Sequence, residues 1–200
     1  MDIVKGNMGW IEVVCGPMFS GKSEELIRRL RRAEIARQRV QIFKPTIDKR
    51  YSDTEIVSHS DLRIPANVIS RSAEILEKLD PRTEVIGVDE AHFLDMEIVD
   101  VAQRLADTGK RVLLAGLETD YLGKPFEQVR ELMTVAEEVT KLLAICVRCG
   151  NPAKHTQRLV ASEERILVGA SGMYEARCRR CFEPLVSEQA ATDEKQKARA

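Results

Sequence analysis

Residues 16–23 of this chain, Gly-Pro-Met-Phe-Ser-Gly-Lys-Ser, match the pattern G-x-x-x-x-G-K-[ST] at every fixed position. The apolar, β-branched run Ile11–Cys15 precedes them, and Glu24–Ala36 follows with apolar residues at helical spacing. A strand, a glycine-containing turn and a helix in this order aim backbone N–H groups and a helix N-terminus at phosphate oxygens. The pattern therefore predicts a phosphate-binding loop in which Lys22 reaches the β- and γ-phosphates and the Ser23 hydroxyl holds Mg²⁺.

A second candidate element for nucleotide chemistry lies downstream, where the apolar run Glu84–Val88 ends in Asp89 and Glu90. Proteins with this loop place a magnesium-associated Asp at the end of a nearby strand. We expect Asp89 to hold Mg²⁺ directly or through water, and Glu90 to act as a general base. If Glu90 activates water the protein is an ATPase, and if Glu90 accepts a proton from a substrate hydroxyl the protein is a kinase.

Further apolar runs alternate with amphipathic segments along the chain, which predicts an α/β fold of the P-loop NTPase type. Its sheet should be mostly parallel, with helices on both faces. The expected strands are Val40–Phe43, Asn67–Ile69, Arg111–Gly116 and Val139–Cys146, and the expected helices are Ala73–Leu79, Asp95–Thr108 and Phe126–Ala136.

Four of the five cysteines form two C-x-x-C pairs separated by 28 residues. Two such pairs suit a tetrahedral four-thiolate zinc site that fixes a small β appendage. A redox pair and unmetallated thiols are the alternatives, while Cys15 fits a buried small hydrophobic residue. The candidate zinc ligands are Cys146, Cys149, Cys178 and Cys181.

Length and composition set the domain organisation and the expected compartment. We expect a nucleotide-binding domain over 1–145, a zinc-ribbon-like lasso domain over 146–186 that closes over a ligand, and a disordered tail over 187–200. A net charge of −1 disfavours a protein that grips nucleic acid. No secretory signal or run of 18 apolar residues is present, so we expect a cytoplasmic protein with no membrane partner.

The polar segment Lys44–Ser52 follows the second strand and contains a proline. It could fold over the nucleotide with Asp48 and Arg50 as its reactive members, or form a plain surface loop. Downstream, His59 fits a structural role better than a catalytic one.

With these features in place, the chain resembles the type II thymidine kinases over Ile11–Pro184. The paired cysteines around Val-Gly-Ala at 168–170 contribute to the resemblance. So do four motifs, Gly-Pro-Met-Phe-Ser-Gly-Lys-Ser at 16–23, Asp-Lys-Arg-Tyr-Ser at 48–52, Asp-Glu-Ala-His-Phe at 89–93 and Gly-Lys-Pro-Phe at 123–126.

The resemblance implies transfer of the γ-phosphate of ATP to the 5′-hydroxyl of thymidine, giving dTMP. Mg²⁺ would accompany ATP, zinc would be structural, and Glu90 would take the hydroxyl proton. It also implies a homotetramer with dTTP as feedback inhibitor.

The resemblance further assigns residues to the two substrates. The ATP site would comprise Gly16, Pro17, Met18, Phe19, Ser20, Gly21, Lys22, Ser23, Asp89 and Arg50, with Ser23 and Asp89 on magnesium. The nucleoside site would comprise Met18, Phe93, Leu117, Tyr121, Phe126 and Tyr174 as walls, with Thr156 and the backbone around Val168 and Gly169 reading the base edge.

Three positions depart from the family pattern, which usually has Gln at His92, often Asp at Glu118 and a second aromatic at Leu94. A neutral His92 could replace the hydrogen bond of the glutamine, a charged one would favour ionised Glu90, and a third reading is simple packing.

Two functions of other classes compete with the kinase. A P-loop ATPase that holds nucleic acid on its zinc appendage would hydrolyse ATP with stimulation by DNA or RNA. A nucleotide-binding scaffold without chemistry would survive loss of Glu90 unchanged. Near-neutral charge disfavours the first, and the complete set Lys22, Ser23, Asp89 and Glu90 disfavours the second.

Overall fold

The computed structural model is organised around a six-stranded β-sheet. The structure describes residues 8–47, 55–57, 63–160, 162, 164–167 and 172–184. The helices are α1 (Lys22–Ile35), α2 (Glu74–Lys78), α3 (Glu97–Asp107) and α4 (Glu127–Val135). The strands are β1 (Trp10–Cys15), β2 (Val40–Pro45), β3 (Glu55–Val57), β4 (Arg63–Pro65), β5 (Asn67–Ile69), β6 (Val85–Val88), β7 (Arg111–Gly116), β8 (Glu138–Lys141), β9 (Ala144–Ile145), β10 (Pro152–Ala153), β11 (His155–Arg158) and β12 (Tyr174–Arg177).

The central sheet has the order β5-β2-β6-β7-β1-β8, and every neighbouring pair in it is parallel. In the register of β1, Val13 pairs with Leu114 on one side and Val139 on the other. Because all six strands run the same way, the loops after β1, β6 and β7 meet at one edge. The predicted α/β class is confirmed, and each of the four predicted helices begins and ends within two residues of its expected bounds.

Apolar layers on both faces of the sheet form the core. On β1, Val14 belongs to the layer that includes Leu30 of α1, and Val13 belongs to the layer that includes residues of α3 and α4. A Cβ on Gly87 of β6 would lie 2.7 Å from Leu30 Cδ1, so α1 packs closely on the sheet there. Burying a leucine of this kind contributes about 2 kcal/mol. Within the described ranges, no helix combines the length and apolar character needed to cross a membrane.

Glu12 is the charged exception inside β1, with none of its surface exposed. Arg29 Nη1 of α1 lies 2.6 Å from Glu12 Oε2, Arg111 Nε of β7 lies 2.5 Å from Oε1, and Trp10 Nε1 donates to Oε1 at 2.7 Å. Burial opposes ionisation of Glu12, but the hydrogen bonds from Arg111, Trp10 and Arg29 outweigh it and lower its pKa. This cluster ties α1 to the strand that precedes the phosphate-binding loop.

The expected single strand over Val139–Cys146 is wrong, because the structure forms β8 in the central sheet and β9 in a separate antiparallel pair with β10. Leu142 N–H donates to Cys15 O at 2.8 Å, which is the last bond along β1. After Cys15, β1 ends and the chain turns into the loop at Gly16. The chain after β8 therefore has no neighbouring strand in the central sheet to pair with.

Two antiparallel pairs, β9–β10 and β11–β12, follow the central sheet. Their small apolar cluster packs against Phe19 of the phosphate-binding loop. Its buried members are Ala144, Cys146, Ala153, Ala176 and Cys178. The C-terminal strands are thereby placed beside the nucleotide loop, although they lie outside the central sheet.

Candidate active site

The loop between β1 and α1 has the backbone that its sequence predicts. Gly16 has φ +149°, and a Cβ there would lie 2.5 Å from Leu142 O. Gly21, the residue before α1, has φ +81°, a left-handed conformation that glycine adopts without strain. Both glycines are therefore required by the path of the chain, which opens the loop at the carboxyl edge of the sheet.

The polar side chains of this loop make hydrogen bonds within the loop itself. Lys22 Nζ donates to Pro17 O at 2.8 Å, and Ser20 Oγ donates to the same oxygen at 2.8 Å. Ser23 is half-buried in the first turn of α1. A phosphate entering the loop would compete with the Pro17 carbonyl for the ammonium group of Lys22.

Asp89 and Glu90 follow β6 directly and are both buried, at 4% and 9% exposure. Asp89 Oδ1 accepts the backbone N–H of Glu90 at 2.9 Å. Glu90 has φ +50°, a left-handed conformation that costs a non-glycine residue about 1–2 kcal/mol. Beyond this turn Glu90 Oε2 lies 3.4 Å from His92 Nδ1, so the adjacent carboxylates have different surroundings and can do different chemistry.

A pocket opens next to these carboxylates, with about 460 Å³ of empty space that includes the open solvent at its mouth. It is lined by seven of the nine residues that the family resemblance assigns to the nucleoside. They are Met18, Phe93, Leu117, Tyr121, Phe126, Thr156 and Tyr174. The structure thus brings together residues from the phosphate-binding loop, the turn after β6, the loop after β7 and the β11–β12 pair. Its aromatic lining suits a planar, partly apolar ligand.

A hydrogen bond between Met18 and Thr156 joins the loop between β1 and α1 to β11, on the opposite side of the pocket. The backbone N–H of Met18, in the phosphate-binding loop, donates to Thr156 Oγ1 of β11 at 3.0 Å. Met18 is 9% exposed and lines the pocket. The phosphate end and the pocket end are therefore held in contact by a buried hydrogen bond.

Arg158, at the end of β11, is a pocket residue that sequence reasoning missed. It is 1% exposed, and its guanidinium carbon lies 3.6 Å from the ring centre of Tyr121. We call residues 162 and 164–167 the strap. Arg158 Nη1 donates to the carbonyl oxygens of Ser162 at 3.1 Å and Glu164 at 2.6 Å.

The guanidinium of Arg158 makes further hydrogen bonds at the strap. Its Nη2 donates to the carbonyl of Arg165 at 3.2 Å and to the hydroxyl of Tyr174 at 3.0 Å, and that hydroxyl donates to Leu167 O at 2.8 Å. One buried arginine thus satisfies three strap carbonyls and is linked to a fourth through Tyr174.

Arg165 is the second missed pocket residue and attaches the strap to the loop after β7. Its Nε lies 3.0 Å from Asp120 Oδ2, its Nη1 lies 3.2 Å from Glu127 Oε2, and its Nη2 donates to Pro125 O at 2.7 Å. Partial burial opposes charging, but the two carboxylates outweigh it and raise the pKa of Arg165. The side chain also lies 5.0 Å over the ring of Phe126.

Little in the sequence could have identified these arginines. β11 contains His-Thr-Gln-Arg, which is polar throughout, yet all four residues are buried. The partners of Arg158, Tyr121 and Tyr174, lie far from it along the chain.

Glu118, one of the three departures from the family pattern, is 7% exposed at the end of β7. Lys141 Nζ of β8 lies 2.8 Å from its Oε2, and Cys15 Sγ donates to the same oxygen at 3.7 Å. Burial, followed by the charge of Glu118, raises the pKa of Cys15 to about 11. Cys15 is therefore a buried neutral thiol, as the sequence predicts.

The four candidate zinc ligands form one cluster, with all their sulfur atoms within 4.8 Å of one another. A tetrahedral zinc with bonds of about 2.3 Å separates its sulfur ligands by about 3.8 Å. The Cys149–Cys178 and Cys149–Cys181 distances of 3.5 and 3.6 Å come close to that value. Asn151 Nδ2 donates to the Cys149 sulfur at 3.4 Å, a hydrogen bond that stabilises the thiolate a metal requires. The set fits zinc.

Several predicted residues lie outside the described part of the chain. Asp48, Arg50 and His59 are among them, and so is the expected tail over 187–200. Two nucleoside-site residues, Val168 and Gly169, also fall there. Their assigned roles stay predictions.

Comparison of the chain with known proteins identifies its family. The thymidine kinase family model matches residues 9–182. The thymidine kinase of Rhodothermus sp. (strain ITI 518) is 56% identical over 179 residues, covering 90% of this chain and 84% of the relative. The thymidine kinase of Bdellovibrio bacteriovorus (strain ATCC 15356 / DSM 50701 / NCIMB 9529 / HD100) is 54% identical over 178 residues, covering 89% and 87%. The chain belongs to the thymidine kinase family.

Proposed function

We propose that this protein transfers the γ-phosphate of ATP to the 5′-hydroxyl of thymidine. The observation that carries the proposal is that Met18 belongs both to the phosphate-binding loop and to the wall of the pocket. A phosphate held by the loop and a nucleoside held in the pocket would therefore be neighbours. The comparisons supply the substrate class, and the geometry supplies the arrangement.

The phosphate end would bind ATP through the backbone N–H groups of residues 16–23 and the ammonium of Lys22. Ser23 and Asp89 would hold Mg²⁺, with Arg50 facing the phosphates. The metal would offset negative charge on the phosphate oxygens during transfer.

Glu90 would accept the proton of the 5′-hydroxyl while that oxygen bonds to the γ-phosphorus. The bond from the γ-phosphorus to the bridging oxygen then breaks, and ADP leaves with the electron pair. The low exposure of Glu90 excludes bulk water, which favours transfer to the nucleoside over hydrolysis of ATP.

The pocket would bind the nucleoside between aromatic and apolar walls, with Thr156 and the backbone around Val168 and Gly169 reading the base edge. Paired N–H and C=O groups match the O2, N3 and O4 pattern of thymine and reject bases that leave them unpaired.

The larger organisation belongs to the same proposal. Residues 1–145 would form the nucleotide domain, and 146–186 would form a lasso domain stabilised by zinc on its four cysteines. We also propose a cytoplasmic homotetramer with dTTP as feedback inhibitor.

A phosphoryl-transfer assay with ATP and Mg²⁺ tests the proposal across thymidine, deoxycytidine, deoxyadenosine and uridine, with a reaction lacking nucleoside as control. We expect a phosphorylated product with thymidine at a far higher kcat/KM than with the others. ATP hydrolysis without any nucleoside product would contradict the proposal and favour an ATPase.

A further inference from the structure

His92 lies in the 3₁₀ turn Ala91–Phe93 that follows Glu90, and it is 2% exposed. Its ring contacts those of Phe93, at a centroid distance of 4.0 Å, and Phe126, at 4.9 Å. Gln128 Nε2 of α4 donates to its backbone carbonyl at 2.5 Å. The imidazole is therefore fixed from several sides at the boundary between the candidate base and the pocket.

The hydrogen bond made by Nδ1 identifies the protonation state of this ring. The backbone N–H of Leu117, a pocket residue at the end of β7, donates to His92 Nδ1 at 3.2 Å. A backbone N–H can only donate, so Nδ1 must offer a lone pair. This contact requires a neutral ring that carries its proton on Nε2, a buried nitrogen to which the described residues offer no acceptor.

The carboxylate of Glu90 faces the same nitrogen, with Oε2 3.4 Å from His92 Nδ1. Two acceptors do not hydrogen-bond each other, so a ring in this tautomer does not compete with a substrate hydroxyl for Glu90. A ring protonated on Nδ1 would instead donate to Glu90 and lose the Leu117 N–H. The Nδ1 atom of His92 thus links the position of the Glu90 carboxylate to that of Leu117, which lines the pocket.

We propose that His92 is a positioning residue for phosphoryl transfer, acting through neutral Nδ1 as an acceptor. It holds the turn carrying Glu90 against Leu117 and keeps its own proton away from the base. The inference rests on the proposed kinase reaction, because it concerns where Glu90 meets the 5′-hydroxyl.

Two substitutions distinguish hydrogen-bond acceptance by Nδ1 from packing of the imidazole ring. In His92→Asn, Oδ1 is the same number of bonds from Cα as Nδ1 and keeps an acceptor, whereas His92→Phe keeps a ring and removes the acceptor. His92→Phe removes the acceptor for the Leu117 N–H and so loosens the turn that carries Glu90, and we expect it to lower kcat about 10- to 100-fold. Its thymidine KM should stay within about threefold, because substrate contacts are retained.

We expect His92→Asn to recover kcat to within about fivefold of the native protein, while its KM stays near the native value. The matched control is His155→Phe, since His155 is also buried and stacked on a ring, that of Phe182, but does not line the pocket. It should leave kcat unchanged. Equal losses in the Asn and Phe variants, or a change confined to KM, would overturn the inference.

A readout independent of activity is ¹⁵N NMR of the imidazoles at pH 7.5, assigned with His92→Asn. We expect an unprotonated Nδ1 and a protonated Nε2 for His92, and the opposite tautomer or an imidazolium would overturn the inference. The native protein distinguishes the two proposals. If it phosphorylates no nucleoside the proposed function fails, whereas normal native turnover with an unaffected His92→Phe variant refutes only the role of His92.

Discussion

The phosphate-binding loop and the strap border the same pocket, but different interactions hold them in place. The loop follows from backbone constraints within one short stretch: Gly16 and Gly21 adopt positive φ, and Leu142 O blocks any side chain at Gly16. The strap is held by two arginine side chains, the buried Arg158 that binds its carbonyls and its own Arg165 that binds the loop after β7. Backbone conformation therefore builds one wall, and arginine side chains build the other.

The loop and the strap should therefore affect different kinetic constants. In the proposed reaction the loop and the turn after β6 would meet the phosphates and the reacting hydroxyl, so changes there should act on kcat. The strap would meet the nucleoside, so changes there should act on the thymidine KM. Substitutions in the two regions test whether effects on kcat and KM separate in this way.

Glu90→Gln should produce the largest loss. It removes the proposed base while keeping the size of the side chain, and removing such a group costs about 10²- to 10⁴-fold in rate. We expect kcat to fall by about that factor while ATP binding, measured by calorimetry, stays unchanged. Retained turnover in this variant would exclude Glu90 as the base.

Glu12→Gln should lower the free energy of unfolding, because Glu12 ties α1 to the strand that precedes residues 16–23. Breaking a buried charge cluster costs about 3 kcal/mol at pH 7, because Arg111 and Arg29 lose the carboxylate of Glu12, although Arg29 keeps its ion pairs with Glu25 and Glu138. The folded-state pKa of Glu12 is lowered, so its contribution is present above the unfolded pKa of about 4.3 and is lost as pH falls through the folded value. Urea titrations should therefore show the difference from the native protein at pH 7 and its disappearance in acid. A difference independent of pH would contradict this account.

The sequence predicts the loop better than the strap for a physical reason. Residues 16–23 carry their geometry locally, and apolar periodicity gives the central sheet and its helices. The burial of Glu12 and Arg158 depends on partners far along the chain, and a single sequence does not pair them. The division between β8 and β9 was missed in the same way, because it depends on where β1 ends.

Cys149→Ser tests whether the cysteine cluster supports the strap side. A fourth thiolate is needed for a closed tetrahedral site, so we expect loss of bound zinc, detected by mass spectrometry or a colorimetric chelator. The thymidine KM should rise about 10- to 100-fold with little change in the ATP KM. Unchanged kinetics in a zinc-free variant would show that the cluster does not position the nucleoside end.

Arg158→Met keeps a long apolar stem but leaves the strap carbonyls without their donor. We expect the thymidine KM to rise about tenfold, because each lost buried hydrogen bond costs about 1 kcal/mol and the strap can regain some of them from water. Arg158→Lys should recover little of this, since one ammonium cannot reproduce the planar fork. A fall in kcat at constant KM would place Arg158 with the phosphate end instead.

Arg165→Gln should have the smallest effect of the series. The Arg165 side chain is 43% exposed, so water screens its ion pairs with Asp120 and Glu127, and each contributes about 0.5 kcal/mol. We expect the thymidine KM to rise two- to fivefold at low salt, and by less at about 1 M salt, where exposed charges are screened over about 3 Å. Arg130→Gln is the matched control, because Arg130 is an exposed arginine paired with Glu131 on α4 and does not line the pocket. An effect of Arg165→Gln as large as that of Arg158→Met would mean that the strap is held from its exposed side, and that the buried guanidinium contributes mainly to packing.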